Sequence, residues 1–208
     1  MRSSNALQLG LFTGGDFGLD DEFSGLQRVV LTNRSWVEVT PNWLQGADSL
    51  FDELFEVVPW QEHHRWMYDR SLLEPRLTAW FGRSTPLPHD ALARMFDILS
   101  LRYRVSFDSV GLNLYRDGSD SVAWHGDRVG RQVQEPLVAV VSLGAARPFR
   151  LRPRPGGPSL AWDLGGGDLF VMGGRTQHEF EHCVPKVASA GSRISVTFRH
   201  STPVGAPL

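Results

Sequence analysis

Cysteine occurs once in the 208 residues, at Cys183. A single thiol excludes an intramolecular disulfide framework and any metal centre built from cysteines alone within one chain. Lysine is equally scarce, with Lys186 standing against 20 arginines. No apolar run is long enough to suggest a membrane span. The opening MRSSNALQLGLFTGGD also lacks the apolar stretch of a signal peptide. The expectation is a cytoplasmic monomer with no membrane partner. Neither internal repeats nor low-complexity tracts divide the chain, and its length favours one domain.

The content is that of an ordinary globular protein, 41% hydrophobic and 21% charged. Charge is unevenly spread. Residues 1–99 carry eight arginines and 14 acids, whereas residues 100–208 carry 12 arginines, one lysine and nine acids. A basic second half could face a phosphate backbone. It could equally follow from an arginine-rich coding composition, so charge alone decides nothing.

Residues 1–25 are rich in Gly, Asp and Ser and read as an N-terminal extension lying on a single domain of residues 26–208. Two segments have helical spacing. In Leu44–Val58, Leu50, Leu54, Val57 and Val58 recur on one face, and Pro59 closes the run. In His89–Arg102 the apolar set is Leu92, Met95, Phe96, Leu99 and Leu101. After Phe107 the chain reads as short strands divided by Gly and Pro. These are Val110–Tyr115, Val122–His125, Leu137–Leu143, Pro148–Leu151, Leu160–Asp163, Leu169–Met172, His178–Val184 and Arg193–His200. The fold class expected is α+β, with a jelly-roll (double-stranded β-helix) core of two packed sheets and the N-terminal helices supporting one of them.

Three short segments carry chemistry. His125-Gly-Asp127 places an imidazole and a carboxylate two apart, on one face at a strand end. Alone, such a tripeptide is a weak signal. The second segment is His178-Glu-Phe-Glu-His182, which formally matches H-E-x-x-H of zinc proteases. That pattern needs a helix and a further ligand, often a downstream acid. Here Phe180 alternates with glutamates as in a strand, and no acid follows Glu181. As a strand, the segment offers His178 or His182 to complete a His/Asp/His face. Two histidines and a carboxylate with open positions suit non-haem Fe(II) oxygenases.

The third segment is Arg193-Ile-Ser-Val-Thr-Phe-Arg199. Alternation puts Arg193, Ser195, Thr197 and Arg199 on one face and the apolar residues on the other. Two guanidiniums inside an apolar barrel are costly unless each meets an anion, and a dicarboxylate such as 2-oxoglutarate offers two. A solvent-facing outer strand is the alternative.

Taken together, Asn113-Leu-Tyr115-Arg-Asp-Gly118, His125-Gly-Asp127, His182 in FEHCVPK and Arg193-x5-Arg199 resemble the AlkB family of Fe(II)/2-oxoglutarate dioxygenases. The likeness extends to Glu74–Gly82, Val141–Phe149 and Gly167–Gly173, covering roughly residues 74–200. It implies a jelly roll with Fe(II), 2-oxoglutarate and O2 as cofactor and co-substrates. It implies iron ligands His125, Asp127 and His182, which would also be the catalytic centre. It further implies 2-oxoglutarate contacts from Asn113, Tyr115, Arg193, Ser195 and Arg199, with Arg193 at the distal carboxylate. The implied activity is oxidative dealkylation of nucleobases in DNA or RNA, with the base flipped out or single-stranded.

Two departures stand out. Family repair enzymes often carry an acid two positions after the iron aspartate, where this chain has Val129. Many have Asn two after the first arginine, where it has Ser195. The segment after Gly82 is also short for a DNA-probing hairpin. Substrate-side candidates are Trp80 and Phe81 for stacking, with Arg128, Arg131, Arg147 and Arg150 for phosphate contact. Cys183 alternates away from the metal and reads as a small core residue. The same chemistry on a protein side chain or small molecule is the alternative function, and a non-enzymatic nucleic-acid-binding protein is a third.

Overall fold

The computed structural model describes residues 17–67, 70–82, 84–127, 133–154 and 156–200, with the side chains of 65–72 outside that description. In the first half lie β1 (Gly18–Leu19), β2 (Gln27–Val30), β3 (Ser35–Thr40), β4 (Leu44–Gln45) and helix α1 (Ala47–Val57). There follow a hairpin of β5 (His64–Met67) and β6 (Arg70–Leu73), then β7 (Leu77–Gly82) and helix α2 (Asp90–Tyr103). The second half begins with β8 (Ser109–Tyr115), β9 (Val122–His125), β10 (Val138–Gly144), β11 (Arg147–Pro153) and β12 (Leu160–Leu164). It ends with β13 (Leu169–Gly174), the single helical turn α3 (Thr176–Glu179), β14 (Phe180–Val184) and β15 (Arg193–Arg199).

Two sheets result. A seven-stranded sheet has the order β2-β3-β13-β10-β15-β8-β7, and a four-stranded sheet has the order β12-β11-β14-β9. All the pairings are antiparallel. Period-two alternation then sorts the apolar residues into two layers. Ala139, Val141 and Leu143 of β10 and Ile194, Val196 and Phe198 of β15 join Leu50, Leu54, Leu92 and Phe96 of the helices in one core. Val138 and Val140 of β10, with Phe170 and Met172 of β13, point the other way and meet Phe149, Leu151 and Phe180 of the smaller sheet. This is the expected jelly roll, braced on the outer face of its larger sheet by α1 and α2.

Capping explains where the helices lie. Gly46, with φ 73°, precedes α1, and Leu44 and Gln45, expected as helix, instead form β4 against β1. His89 caps α2: its Nδ1 accepts from the Ala91 N–H at 3.0 Å, while Nε2 donates to Glu53 of α1 at 2.8 Å, tying the two helices together. Leu101, expected on the buried face, is 83% exposed, because the core face of α2 is already completed by Leu92, Met95, Phe96 and Leu99.

The strands of the first half carried little alternation to read, and β2 is exposed throughout. Phe23, within the segment assigned to the extension, is buried against Trp43, their ring centroids 5.9 Å apart. The expected strand at residue 178 begins instead at Phe180, because residues 176–179 form α3. Among the described residues no helix is long and apolar enough to cross a membrane.

The layering makes a sharp prediction about two leucines. Leu112→Ala, on the buried face of β8, should cost about 2–5 kcal/mol. Leu101→Ala should stay within about 0.5 kcal/mol. Urea unfolding followed by tryptophan fluorescence measures both, and equal losses would contradict the orientation of α2.

Candidate metal and anion site

Antiparallel pairing of β9 with β14 sets His125 directly opposite His182, the arrangement in which cross-strand side chains meet. Their ring centroids are 4.3 Å apart. The chain leaves β9 in a bend that brings Asp127 to the same point. Ligand atoms of His125, Asp127 and His182 all lie within 4.8 Å of one another. His182 Nε2 is 3.5 Å from Asp127 Oδ2. Alternation alone left His178 and His182 both open, and the family resemblance implied His182. The structure brings His182 beside His125 and Asp127, whereas His178 sits on the exposed side of α3 with its Nε2 donating to the Val133 carbonyl at 3.1 Å. With α3 ending at Glu179, the two histidines of the H-E-x-x-H pattern do not share a helix face.

Protonation suits metal binding. His125 Nδ1 lies 2.8 Å from the Ala123 carbonyl, which can only accept, so Nδ1 is the donor and Nε2 is the nitrogen left for a ligand role. Burial lowers the His182 pKa to about 4, with the Asp127 carboxylate only partly offsetting it, so this imidazole is neutral near pH 7. Burial pushes the Asp127 carboxyl up, but Arg199, His182 and His125 together outweigh it and hold the pKa at about 2. Asp127 is therefore a buried anion. Its Oδ1 accepts from Arg199 Nε at 2.9 Å and from Arg199 Nη2, while Oδ2 is buried without a hydrogen-bond partner. Two imidazoles around a buried carboxylate oxygen with no hydrogen-bond partner fit a divalent cation.

Opposite this set, β8 and β15 contribute a face that carries two guanidiniums. Arg193, Ser195, Thr197 and Arg199 line a cavity of about 910 Å³ together with Asn113, Tyr115 and the His/Asp/His set. The alternation expected of β15 is therefore realised, with the polar face inward. Arg193 is 1% exposed. Its Nε donates to Ser142 Oγ at 2.9 Å, whereas Nη1 has no partner. The Tyr115 ring lies between two guanidiniums, with Arg193 at 5.4 Å and Arg147 at 5.6 Å from its centroid. Burial raises the Tyr115 pKa, so it stays a neutral phenol. Asn113 Nδ2 donates to Ser195 Oγ at 3.3 Å, and Asn113 Oδ1 accepts from Arg76 Nε at 3.1 Å. Gly111 matters here because a Cβ there would lie 2.9 Å from Arg199 Nη1. Glycine lets that guanidinium lie across β8 on its way to Asp127.

The substrate-side candidates divide. Trp80 is 66% exposed and lines the cavity, whereas Phe81, on the other face of β7, packs against the core and is not available for stacking. Arg147 is no phosphate contact: it is 1% exposed and donates to the carbonyls of Asp117, Asp120 and Pro185 at 2.8–2.9 Å. Arg150 is exposed on β11. Arg128, Val129 and Arg131 lie outside the described residues. Cys183 is buried, and its thiol is pushed up by that burial.

The sequence reading gave no role to Arg76, although it sits in the 74–82 segment. Only the pairing of β7 with β8, which sets Thr78 beside Asn113, brings Arg76 to that amide. Gln177 was also missed. Its carboxamide oxygen accepts from the Asp127 N–H at 2.9 Å, a contact across 50 residues that no local pattern announces.

A jelly roll whose cavity pairs two imidazoles and a carboxylate with a face that carries two guanidiniums has the architecture of non-haem Fe(II) oxygenases. Residues 37–199 match the model of the 2OG-Fe(II) oxygenase superfamily. The chain is 35% identical over 178 residues to alpha-ketoglutarate-dependent dioxygenase alkB homolog 3 of Bos taurus, covering 75% of this chain and 62% of that protein. It is 34% identical to the Homo sapiens protein of the same name, covering 79% and 65%. It is 30% identical to the DNA oxidative demethylase ALKBH2 of Arabidopsis thaliana, covering 88% and 68%. The chain belongs to the AlkB family within the 2OG-Fe(II) oxygenase superfamily. It spans a little under two thirds of the length of the two mammalian relatives.

The Arg199–Asp127 pair can be tested without any metal. Arg199→Met should destabilise the metal-free protein by about 3 kcal/mol, because a buried carboxylate loses its cation. Adding Asp127→Asn should recover at least about 1 kcal/mol of that loss. Denaturant unfolding of the four proteins in the cycle reads the coupling, and strict additivity would remove the pair from this account.

Proposed function

We propose that this chain is an Fe(II)- and 2-oxoglutarate-dependent oxygenase that removes alkyl groups from nucleobases in DNA or RNA. The observation that carries the reading is a pair of buried atoms without hydrogen-bond partners, Asp127 Oδ2 and Arg193 Nη1, on residues that line one cavity. A stranded carboxylate oxygen calls for a cation and a stranded guanidinium N–H for an anion. Fe(II) and 2-oxoglutarate answer both needs.

In this reading His125, Asp127 and His182 hold the iron and leave positions open on it. Arg193 takes the distal carboxylate of 2-oxoglutarate, with Tyr115 and Ser195 beside it, and Asn113 and Arg199 lie toward the end that meets the metal. With iron, 2-oxoglutarate and O2 bound, the chemistry supplied is oxidation of a C–H bond on the N-alkyl group, coupled to conversion of 2-oxoglutarate into succinate and CO2. The hydroxylated carbon leaves as an aldehyde, and the base nitrogen regains its proton.

The residues of this chain supply orientation and charge. His125 and His182 present ring nitrogens, Arg199 keeps the Asp127 carboxylate ionised, and the buried face of β15 fixes the co-substrate at one end. Trp80, exposed at the cavity, offers a ring on which a flipped or single-stranded base can stack. Nucleobases are favoured over other substrates by the demethylase relative and by that exposed ring.

Incubation with Fe(II), 2-oxoglutarate and a methylated oligonucleotide should yield succinate and the restored base. His125→Ala and Asp127→Ala should lose both products. Consumption of 2-oxoglutarate without base repair would shift the substrate to a protein side chain or small molecule, and absence of iron-dependent succinate would defeat the reading. Arg193→Met should raise the 2-oxoglutarate concentration needed by about 10- to 100-fold, since a charge-assisted hydrogen bond is lost. An unchanged co-substrate dependence would remove Arg193 from the pocket's anion contacts.

A further inference from the structure

Helical turn α3 is fixed to the first half of the chain. Thr176 Oγ1 lies 2.6 Å from the Gly173 carbonyl and 3.0 Å from the Trp36 carbonyl, and its single proton can go to either. The Glu179 carboxylate accepts from Ser35 Oγ at 2.7 Å, Thr32 Oγ1 at 3.0 Å and Arg175 Nε at 3.2 Å. The turn is therefore held at both ends against the β2–β3 hairpin. Between those anchors, Gln177 is 5% exposed and does not line the cavity.

Gln177 reaches across to the bend that carries Asp127. Its Oε1 accepts from the Asp127 N–H at 2.9 Å. A Cβ at Gly126 would meet Arg154 Nη2 first, and the Gln177 backbone oxygen at 3.2 Å, so glycine there admits the Arg154 guanidinium and the close approach of α3. The next side chain, His178, holds the Val133 carbonyl at 3.1 Å. Adjacent residues of α3 thus grip the chain at 127 and again at 133. The same turn leads directly into β14, which carries His182.

We infer that Gln177 is a positioning residue: by holding the Asp127 backbone to the turn that precedes His182, it sets the separation of two members of the His/Asp/His set. The inference rests on that set being the metal site. Arg199 pulls on Oδ1 from the larger sheet. Among the described residues Gln177 Oε1 is the acceptor for the Asp127 N–H, and without it the carboxylate shifts toward Arg199. Metal affinity is sensitive to such shifts because ligand distances are tightly specified.

The test is a cobalt(II) titration of the full chain followed by visible absorption, with no co-substrate and no turnover. Gln177→Met keeps the shape and removes the acceptor. It should weaken cobalt binding by about tenfold or more, at an unchanged unfolding midpoint of the metal-free protein. Gln177→Glu keeps an oxygen acceptor and should return affinity to within about threefold of the unmodified chain. Cobalt bound by Gln177→Met as tightly as by the unmodified chain overturns the inference, and so does equal weakening by Met and Glu. If Gln177→Met does not fold, Gln177→Asn, one methylene too short to reach, is read in its place with the same expectation. Asp127→Ala separates the two claims. Should it bind cobalt normally, the metal-site assignment fails. Should it lose cobalt while Gln177→Met does not, only the role of Gln177 fails.

Discussion

The contact between Arg199 and Asp127 joins two sheets that otherwise face each other across apolar residues. Arg199 ends β15 in the seven-stranded sheet, and Asp127 lies in the bend that follows β9 of the four-stranded sheet. An ionised carboxylate in a protein interior costs several kcal/mol unless it is paired and hydrogen-bonded. Arg199 compensates that cost from one side only, through Oδ1. The remaining oxygen is left among imidazoles, and this asymmetry turns a structural ion pair into a site with an unmet need for positive charge. Placing the compensating guanidinium on the opposite sheet also means that correct packing of the sheets and a correctly charged site are one event.

Strand alternation supplies the rest. Residues of β15 must face opposite ways in turn, so a strand that buries Ile194, Val196 and Phe198 against the helices has to present 193, 195, 197 and 199 to the space between the sheets. Polar residues at those positions would be unfavourable in a filled core. In a cavity they become a lining. Two guanidiniums nevertheless crowd the Tyr115 ring, and their circumstances differ. Arg147 spends its Nη groups on three backbone carbonyls that fasten the turn after β8 and the segment after β14. Arg193 has a serine hydroxyl on Nε and nothing on Nη1. The first is a structural clamp, and the second is free to meet an anion.

Much of this was legible in the sequence because the second half of the chain carries its information locally. A seven-residue strand such as β15 shows its two faces without any knowledge of neighbours, and His125 and Asp127 lie close enough in sequence to be recognised as a pair. Alternation showed His182 only as one of two candidates, since separating them by geometry depends on where α3 ends and β14 begins, and it was the family resemblance that pointed to His182. The first half was harder: β2 is exposed throughout and β1 and β4 have two residues each, so no periodicity could mark them. Arg147 was misjudged for a related reason. Its carbonyl partners come from Asp117, Asp120 and Pro185, and no local pattern shows a side chain satisfied by distant backbone. Trp80 and Phe81 are adjacent aromatics of equal apparent promise, and only the pairing of β7 with β8 assigns one to the cavity and the other to the core.

The placement of Trp80 also explains how the chemistry and the choice of substrate can be physically separable in this fold. Strand β7 is the edge of the seven-stranded sheet, and Trp80 projects from it with most of its surface in water. A substitution there removes little packing. Arg193 and Ser195 lie two strands further in, on buried backbone whose alternate residues belong to the helix-facing core. The residues proposed to hold the cation and the anion are thus held by the same forces that hold the fold, while the surface a substrate would meet first hangs from its margin. That gradient runs from β15 through β8 to β7. Along it, side chains pass from being fixed by their neighbours to being fixed by whatever they bind.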